Sequence, residues 1–129
     1  MWKQLKEVTL LVAEDDAFNR KLIHAMLSKN EEIKIIEAVD GKEALDILES
    51  KEIDGLLLDI HMPNMDGFET LRKIRQHRKN KDLPIIVITS DEIEKKKSYA
   101  LGANDFLPKP FKRNELEEKV HSMLLGATR

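Results

Sequence analysis

Val8-Thr9-Leu10-Leu11-Val12-Ala13 runs directly into Glu14-Asp15-Asp16, setting a string of β-forming residues against three carboxylates. A short, nearly continuous apolar run of this kind is the pattern of a strand buried on both faces, as in a parallel sheet. The same ending recurs along the chain. Leu56 to Leu58 stops on Asp59, Ile85 to Ile88 stops on Thr89, and Phe106-Leu107-Pro108 stops on Lys109. If these runs are parallel strands of one sheet, carboxylates, a hydroxyl and an ammonium gather at its carboxyl edge, where open α/β sheets place their sites.

Between the runs lie helical patterns. Phe18, Leu22, Ile23, Met26 and Leu27 recur at helical spacing until Ser28-Lys29-Asn30. Ile33 to Ala38 reads as a second strand, and Asp40-Gly41 leads into a helix with the stripe Ala44, Leu45, Ile47 and Leu48. A third strand spans Ile53 to Asp59; after the turn-rich Pro63 to Gly67, Asp66 can cap a helix carrying Phe68, Leu71 and Ile74. Pro84 to Thr89 is a fourth strand, followed by a polar helix that starts at Asp91 and ends at Gly102, a C′ glycine. Ala103 to Leu107 is a short fifth strand. A last helix over about Arg113 to Leu125 presents Leu116, Val120, Met123 and Leu124 on one face.

Five βα units in series imply a doubly wound five-stranded parallel sheet, and right-handed crossovers point to the flavodoxin-like order 2-1-3-4-5. The spacing agrees: Asp59 lies 44 residues after Asp15, room for two crossovers, and Thr89 and Lys109 follow at 30 and 20 residues, one crossover each.

The 129 residues suit a single domain, residues 1–129 with a core of about 8–125, and no output domain is read after Leu125. With 41% apolar and 36% charged residues and a formal net charge of −2, the chain reads as a globular protein without the basic footprint of a nucleic-acid binder. No helix-turn-helix pattern is appended. There is no cysteine, so disulfides and thiolate metal sites are excluded and a cytoplasmic setting fits. Met1 to Lys6 is too polar for a signal peptide, and no apolar run approaches the roughly 18 residues of a spanning helix.

In the order 2-1-3-4-5 the first and third strands are neighbours, bringing Glu14 or Asp15 up to Asp59. Two bare carboxylates about 4 Å apart repel by roughly 4 kcal/mol at an effective dielectric near 20, so the cluster calls for a proton or a cation. With oxygen donors only, Mg²⁺ is the natural ion. Lys109 adds a fixed positive charge and Thr89 a hydroxyl donor, a set suited to a phosphoryl group. A carboxylate that attacks phosphorus becomes an acyl phosphate.

The segments Val12-Ala13-Glu14-Asp15-Asp16, Leu57-Leu58-Asp59-Ile60-His61-Met62-Pro63-Asn64-Met65-Asp66-Gly67, Ile88-Thr89-Ser90 and Gly102 to Phe111 together resemble the receiver domains of two-component response regulators, of the chemotaxis-regulator kind, over about residues 8 to 125. The resemblance implies Asp59 as phosphoacceptor for a sensor kinase phosphohistidine. It implies Glu14 and Asp15, with Asp59 and the His61 backbone carbonyl, as holders of Mg²⁺, Mn²⁺ being the alternative ion. Asp15 would be the direct ligand of the acidic pair, with Glu14 acting mainly through water and Asp16 a cap or outer residue. Lys109 would pair with the phosphoryl oxygens, across a cis Lys109-Pro110 bond. Thr89 would then move onto the phosphoryl group and let Phe106 rotate inward, remodelling the surface of helix four, strand five and helix five. Phe106 stands where Tyr is commoner, so a phenol hydrogen bond is lost. His61 and Asp91 would together set the decay of the acyl phosphate.

The implied partners are a sensor histidine kinase or phosphotransfer protein and a downstream protein or domain at that remodelled surface, with a phosphorylation-dependent dimer among the outcomes; no nucleic acid or membrane is contacted directly. The chain would be a signalling domain that catalyses only its own phosphorylation and dephosphorylation, either stand-alone or cut from a longer regulator or hybrid kinase, whose receivers often carry an Asn where Asn19 stands. The competing reading is an aspartate-nucleophile phosphatase of the haloacid dehalogenase type, which also uses a strand-end Asp, a Thr or Ser, a Lys and Mg²⁺. Against it, His61 occupies the position of that family's general acid, and there is no cap insertion. An all-helical phosphotransfer domain cannot accommodate the strand runs. Lys95-Lys96-Lys97 and Arg78-Lys79-Asn80-Lys81 read as solvated faces, and the four histidines show no metal-ligand spacing.

Overall fold

The computed structural model describes residues 7–127; the polar opening Met1 to Lys6 lies outside them. Strands and helices alternate in the order β1 (Val8–Ala13), α1 (Ala17–Leu27), β2 (Ile33–Ala38), α2 (Gly41–Ser50), β3 (Gly55–Asp59), α3 (Gly67–Gln76), β4 (Ile85–Thr89), α4 (Glu92–Ala100), β5 (Asp105–Pro108) and α5 (Arg113–Ala127), with a short 3₁₀ turn at Arg78–Asn80. The five strands form one parallel sheet in the order β2-β1-β3-β4-β5. β1 and β3, apolar on both faces, occupy the interior as a parallel sheet covered by helices on both sides requires.

Two apolar layers sandwich the sheet. Leu10, Val12, Leu57, Ile86 and Ile88 pack with Ile23 and Leu27 of α1 and Leu116, Val120 and Leu124 of α5. Leu11, Leu56, Leu58, Ile85 and Val87 pack with Ala44 and Leu48 of α2 and Leu71 and Ile74 of α3. α4 buries only Ser98 and leaves Ile93 78% exposed. α1 is narrower in its contact than its periodicity predicts: Ile23 and Leu27 are buried, but Phe18 is 70% and Leu22 40% exposed. These two lie round the helix from the Ile23–Leu27 line, so the helix meets the sheet on a single stripe.

Three strand starts fall later than the sequence implies, at Gly55, Ile85 and Asp105 rather than Ile53, Pro84 and Ala103. At β5 the reason is local. Gly102, at φ 109°, donates to the Tyr99 carbonyl while Ala103 donates to that of Ser98, so Ala103 completes the Schellman ending of α4 before the strand can start. Asn104 then stitches the edge together, its side chain accepting from the Ile85 N–H and from Arg75.

Register fixes what meets at the carboxyl edge. Ala13 lies beside Leu58, Asp59 beside Ile88, and Thr89 beside Pro108. Gly67, the first residue of α3, donates its N–H to the Ile60 carbonyl at 2.8 Å. A Cβ there would fall 2.6 Å from the Asp59 carbonyl oxygen and 2.7 Å from the Ile60 Cα, so only glycine lets α3 start this close to the end of β3.

Candidate functional site: the carboxyl edge of the sheet

Glu14 continues β1 past its last strand residue, donating its N–H to the Ala38 carbonyl, and is 2% exposed. Its Oε2 accepts the N–H of Asp16, and Asp16 in turn caps α1 by accepting from Phe18 N–H at 2.8 Å. Asp16 is thus the helix cap expected of it. The turn is braced by Arg20, whose Nη1 donates to the carbonyls of Glu14 (2.7 Å) and Asp15 (3.0 Å) while its Nε meets Glu37 at 3.0 Å. Nothing in the spacing of the sequence singles out Arg20; the contact appears only once the first turn of α1 folds back over the end of β1.

Asp59, 3% exposed, ends β3 at the centre of the edge. Lys109 reaches it from the far side, with Nζ 2.9 Å from Asp59 Oδ1 and 3.6 Å from Glu14 Oε1. One carboxylate oxygen each of Glu14, Asp15 and Asp59 lie within 4.8 Å of one another. The second distance is too long for a hydrogen bond, so Glu14 Oε1 is buried without one. Burial, reinforced by the charge of Asp59 and only partly offset by the Asp16 N–H and Lys109, pushes the Glu14 carboxyl up to about 7. Burial also raises Asp59, against the pull of Lys109. Burial works against the charge of Lys109, but the bond and charge of Asp59, with Glu14, outweigh it and hold the ammonium above its ordinary range.

The edge therefore carries more negative charge than one lysine neutralises. An oxygen-only cluster with an unsatisfied buried oxygen fits a hard divalent cation, which would take up that oxygen and favour the ionised form of Glu14. Carboxylates and ammonium meet at the carboxyl edge, and the Lys109-Pro110 peptide is cis. A groove lined by Asn19, Leu22, Pro110 and Phe111 opens beside Lys109.

On the β4 side a further carboxylate, that of Glu94, enters. Thr89 is 1% exposed, and its hydroxyl donates to Glu94 Oε1 at 2.5 Å. His61, two residues after Asp59, places Nε2 3.1 Å from Glu94 Oε1 and 3.0 Å from Oε2. Asp91, expected with His61 to set the decay of the acyl phosphate, caps α4 with its carboxylate, accepting from the N–H groups of Ile93 and Glu94. Sequence reasoning missed Glu94, because the expected spacing led to Asp91. The only available signal was an acid one turn into a helix that begins beside Thr89. Phe106 is 7% exposed, with Lys95 Nζ 5.2 Å from its ring centroid.

Comparison with known proteins agrees with this geometry. Residues 10–121 match the response regulator receiver domain family. The response regulator MprA of Mycolicibacterium vanbaalenii is 37% identical over 123 residues, covering 94% of this chain and 52% of the relative. MprA of Mycobacterium tuberculosis is 39% identical over 119 residues, covering 91% of this chain and 50% of the relative. The chain thus spans about half the length of these relatives. Among solved structures, the receiver domain of the sensor histidine kinase PA1611 from Pseudomonas aeruginosa, with a magnesium ion coordinated in its active site cleft, superposes with a TM-score of 0.83 at 30% identity. That match covers 91% of this chain and 97% of the other. The chemotaxis protein CheY4 of Vibrio cholerae matches with a TM-score of 0.83 at 28% identity, over 91% of this chain and 98% of its own. The haloacid dehalogenase alternative finds no support in these relationships. The family match, the 2-1-3-4-5 sheet and the acidic edge lead to one conclusion: this chain belongs to the response regulator receiver domain family of two-component signalling.

Proposed function

We propose that Asp59 is the phosphoacceptor of this receiver, taking a phosphoryl group from the phosphohistidine of a sensor kinase or phosphotransfer protein and so switching a protein-binding surface. The observation that carries the reading is the meeting of Asp59 with Lys109 at 2.9 Å inside a cluster whose other two carboxylates, Glu14 and Asp15, offer oxygens within 4.8 Å. An Asp59 carboxylate oxygen attacks phosphorus, the P–N bond of the phosphohistidine breaks, and its electron pair returns to the donor imidazole. The product is an acyl phosphate on Asp59.

Lys109 moves its ammonium from the Asp59 oxygen to the phosphoryl oxygens, keeping the charge paired through the transfer. Asp15 and Glu14, with Asp59 and the backbone carbonyl of His61, would hold Mg²⁺, or Mn²⁺ in its place. The ion, when bound, neutralises charge on the transferring oxygens. Thr89 then donates its hydroxyl to the phosphoryl group, and the change passes through α4, β5 and Phe106 to a downstream protein or domain, or to a second copy of the chain. Transfer is its own end: the domain signals rather than turning over a metabolite. No helix among the described residues is long and apolar enough to cross a membrane, which is compatible with a cytoplasmic setting.

The test is to mix the protein with Mg²⁺ and acetyl phosphate and measure a stoichiometric, alkali-labile adduct by intact mass. Asp59→Asn is expected to abolish it. An adduct at full yield in that variant, or repeated turnover of a phosphomonoester by the wild type, overturns the assignment.

A further inference from the structure

We propose that Glu94 is a positioning residue of this receiver: its carboxylate clasps the Thr89 hydroxyl and the His61 imidazole in the unphosphorylated state and competes with the phosphoryl group for both. The inference rests on the reading of Asp59 as phosphoacceptor and adds a residue to it.

A threonine hydroxyl has one hydrogen to give, and here it goes to Glu94 Oε1. Thr89 sits one residue beyond Ile88, the β4 partner of Asp59, so the hydroxyl is within one strand step of whatever Asp59 carries. It cannot donate to a phosphoryl oxygen without leaving Glu94. The His61 Nε2, 3.0 Å from Glu94 Oε2, meets the same carboxylate from just past the end of the neighbouring strand β3.

Glu94 is itself held. Its N–H is capped by Asp91 at 3.2 Å, its carbonyl accepts the Ser98 hydroxyl at 2.7 Å, and its side chain is only 18% exposed. The carboxylate is therefore presented to Thr89 and His61 by the backbone of α4. A phosphoryl group brings up to about two negative charges to the same edge. It repels Glu94 and needs the donors that Glu94 holds, so breaking the clasp and displacing the first turn of α4 become one event. α4 is suited to yield, since Ser98 is its one buried side chain.

The experiment compares wild type, Glu94→Gln and Glu94→Ala with Mg²⁺ and a titration of acetyl phosphate. A charge-assisted hydrogen bond contributes enough that losing this competitor should raise the ratio of phosphorylated to unphosphorylated protein about tenfold in Glu94→Ala, with a smaller rise in Glu94→Gln, whose amide oxygen still accepts. In a Thr89→Ala background the Glu94→Ala gain should largely vanish, which a merely structural role would not produce. The Thr89 methyl resonance, recorded without any phosphate donor, should move in Glu94→Ala. Equal phosphorylation of wild type and Glu94→Ala, or a gain undiminished in Thr89→Ala, overturns the proposal. A wild type that takes up no phosphoryl group overturns the Asp59 reading instead, and the Thr89 methyl resonance still upholds or overturns the Glu94 clasp.

Discussion

Two corners flank Asp59, one where β1 passes into α1 and one where β4 passes into α4, and they are built differently. At the first, the helix is anchored by Ile23 and Leu27, and Arg20 ties the carbonyls of Glu14 and Asp15 from above. At the second, the helix has Ser98 as its single buried side chain, and helix and strand end are tied through the Thr89 hydroxyl, which donates to Glu94 and accepts from the Asp91 N–H. The first corner spends apolar burial on holding its carboxylates still. The second holds its hydroxyl by a bond that an incoming charge can replace. For the proposed function, a cation bound in one place and a change of shape in another, this asymmetry would be an advantage, because low local stability is where motion is drawn from.

The most severe way to break the comparison is to remove the anchors. Leu27→Ala takes a fully buried side chain from α1 and should cost about 2–5 kcal/mol in urea unfolding, whereas Ile93→Ala, on the exposed face of α4, should stay within about 0.5 kcal/mol. Equal losses would mean that α4 is as firmly seated as α1.

A second expectation concerns protons at the first corner. A carboxyl whose folded-state pKa lies above its unfolded value binds its proton more tightly when folded. Its contribution to stability is full below the ordinary 4.5 and is lost as pH rises through about 7. Metal-free protein should therefore lose stability across that interval, at a slope of at most about 1.4 kcal/mol per pH unit for one proton, and Asp59 acts in the same direction. Saturating Mg²⁺ should flatten the dependence, and Mg²⁺ affinity should rise with pH over the same range. Thermal midpoints measured with and without the ion decide it; a stability that rises from pH 5 to 7 without metal would show that the Glu14 charge is already compensated.

The smallest of these effects sharpens the contrast from outside the cluster. Arg20→Ala leaves every carboxylate in place but frees the Glu14 and Asp15 carbonyls, and should weaken Mg²⁺ binding about tenfold by calorimetry, the usual effect of losing a residue that orients ligands. Unchanged affinity would show that β1 alone fixes the turn.

The residues of the site fall into two classes of legibility. Glu14, Asp59, Thr89 and Lys109 could be read in advance because strands announce themselves as apolar runs and a parallel sheet brings their ends together. Asp66 and Gly102 were legible because cap chemistry is local. Arg20 and Glu94 were not, since each acts from a helix onto a neighbouring strand end, and helical spacing does not specify which side chain will lean across that gap. Asp91 follows the local rule, its carboxylate accepting from N–H groups of its own helix. Phe18 and Leu22 matched the helical period yet face solvent, because periodicity gives a stripe its direction but not its width.

Gly67 has a consequence beyond the packing of α3. With no room for even a methyl group against the Asp59 carbonyl, position 67 acts as a silent veto on the whole edge: Gly67→Ala adds no charge and removes no carboxylate, yet it must displace the backbone that carries Asp59. The site is thus vulnerable at a residue that has no side chain to offer it.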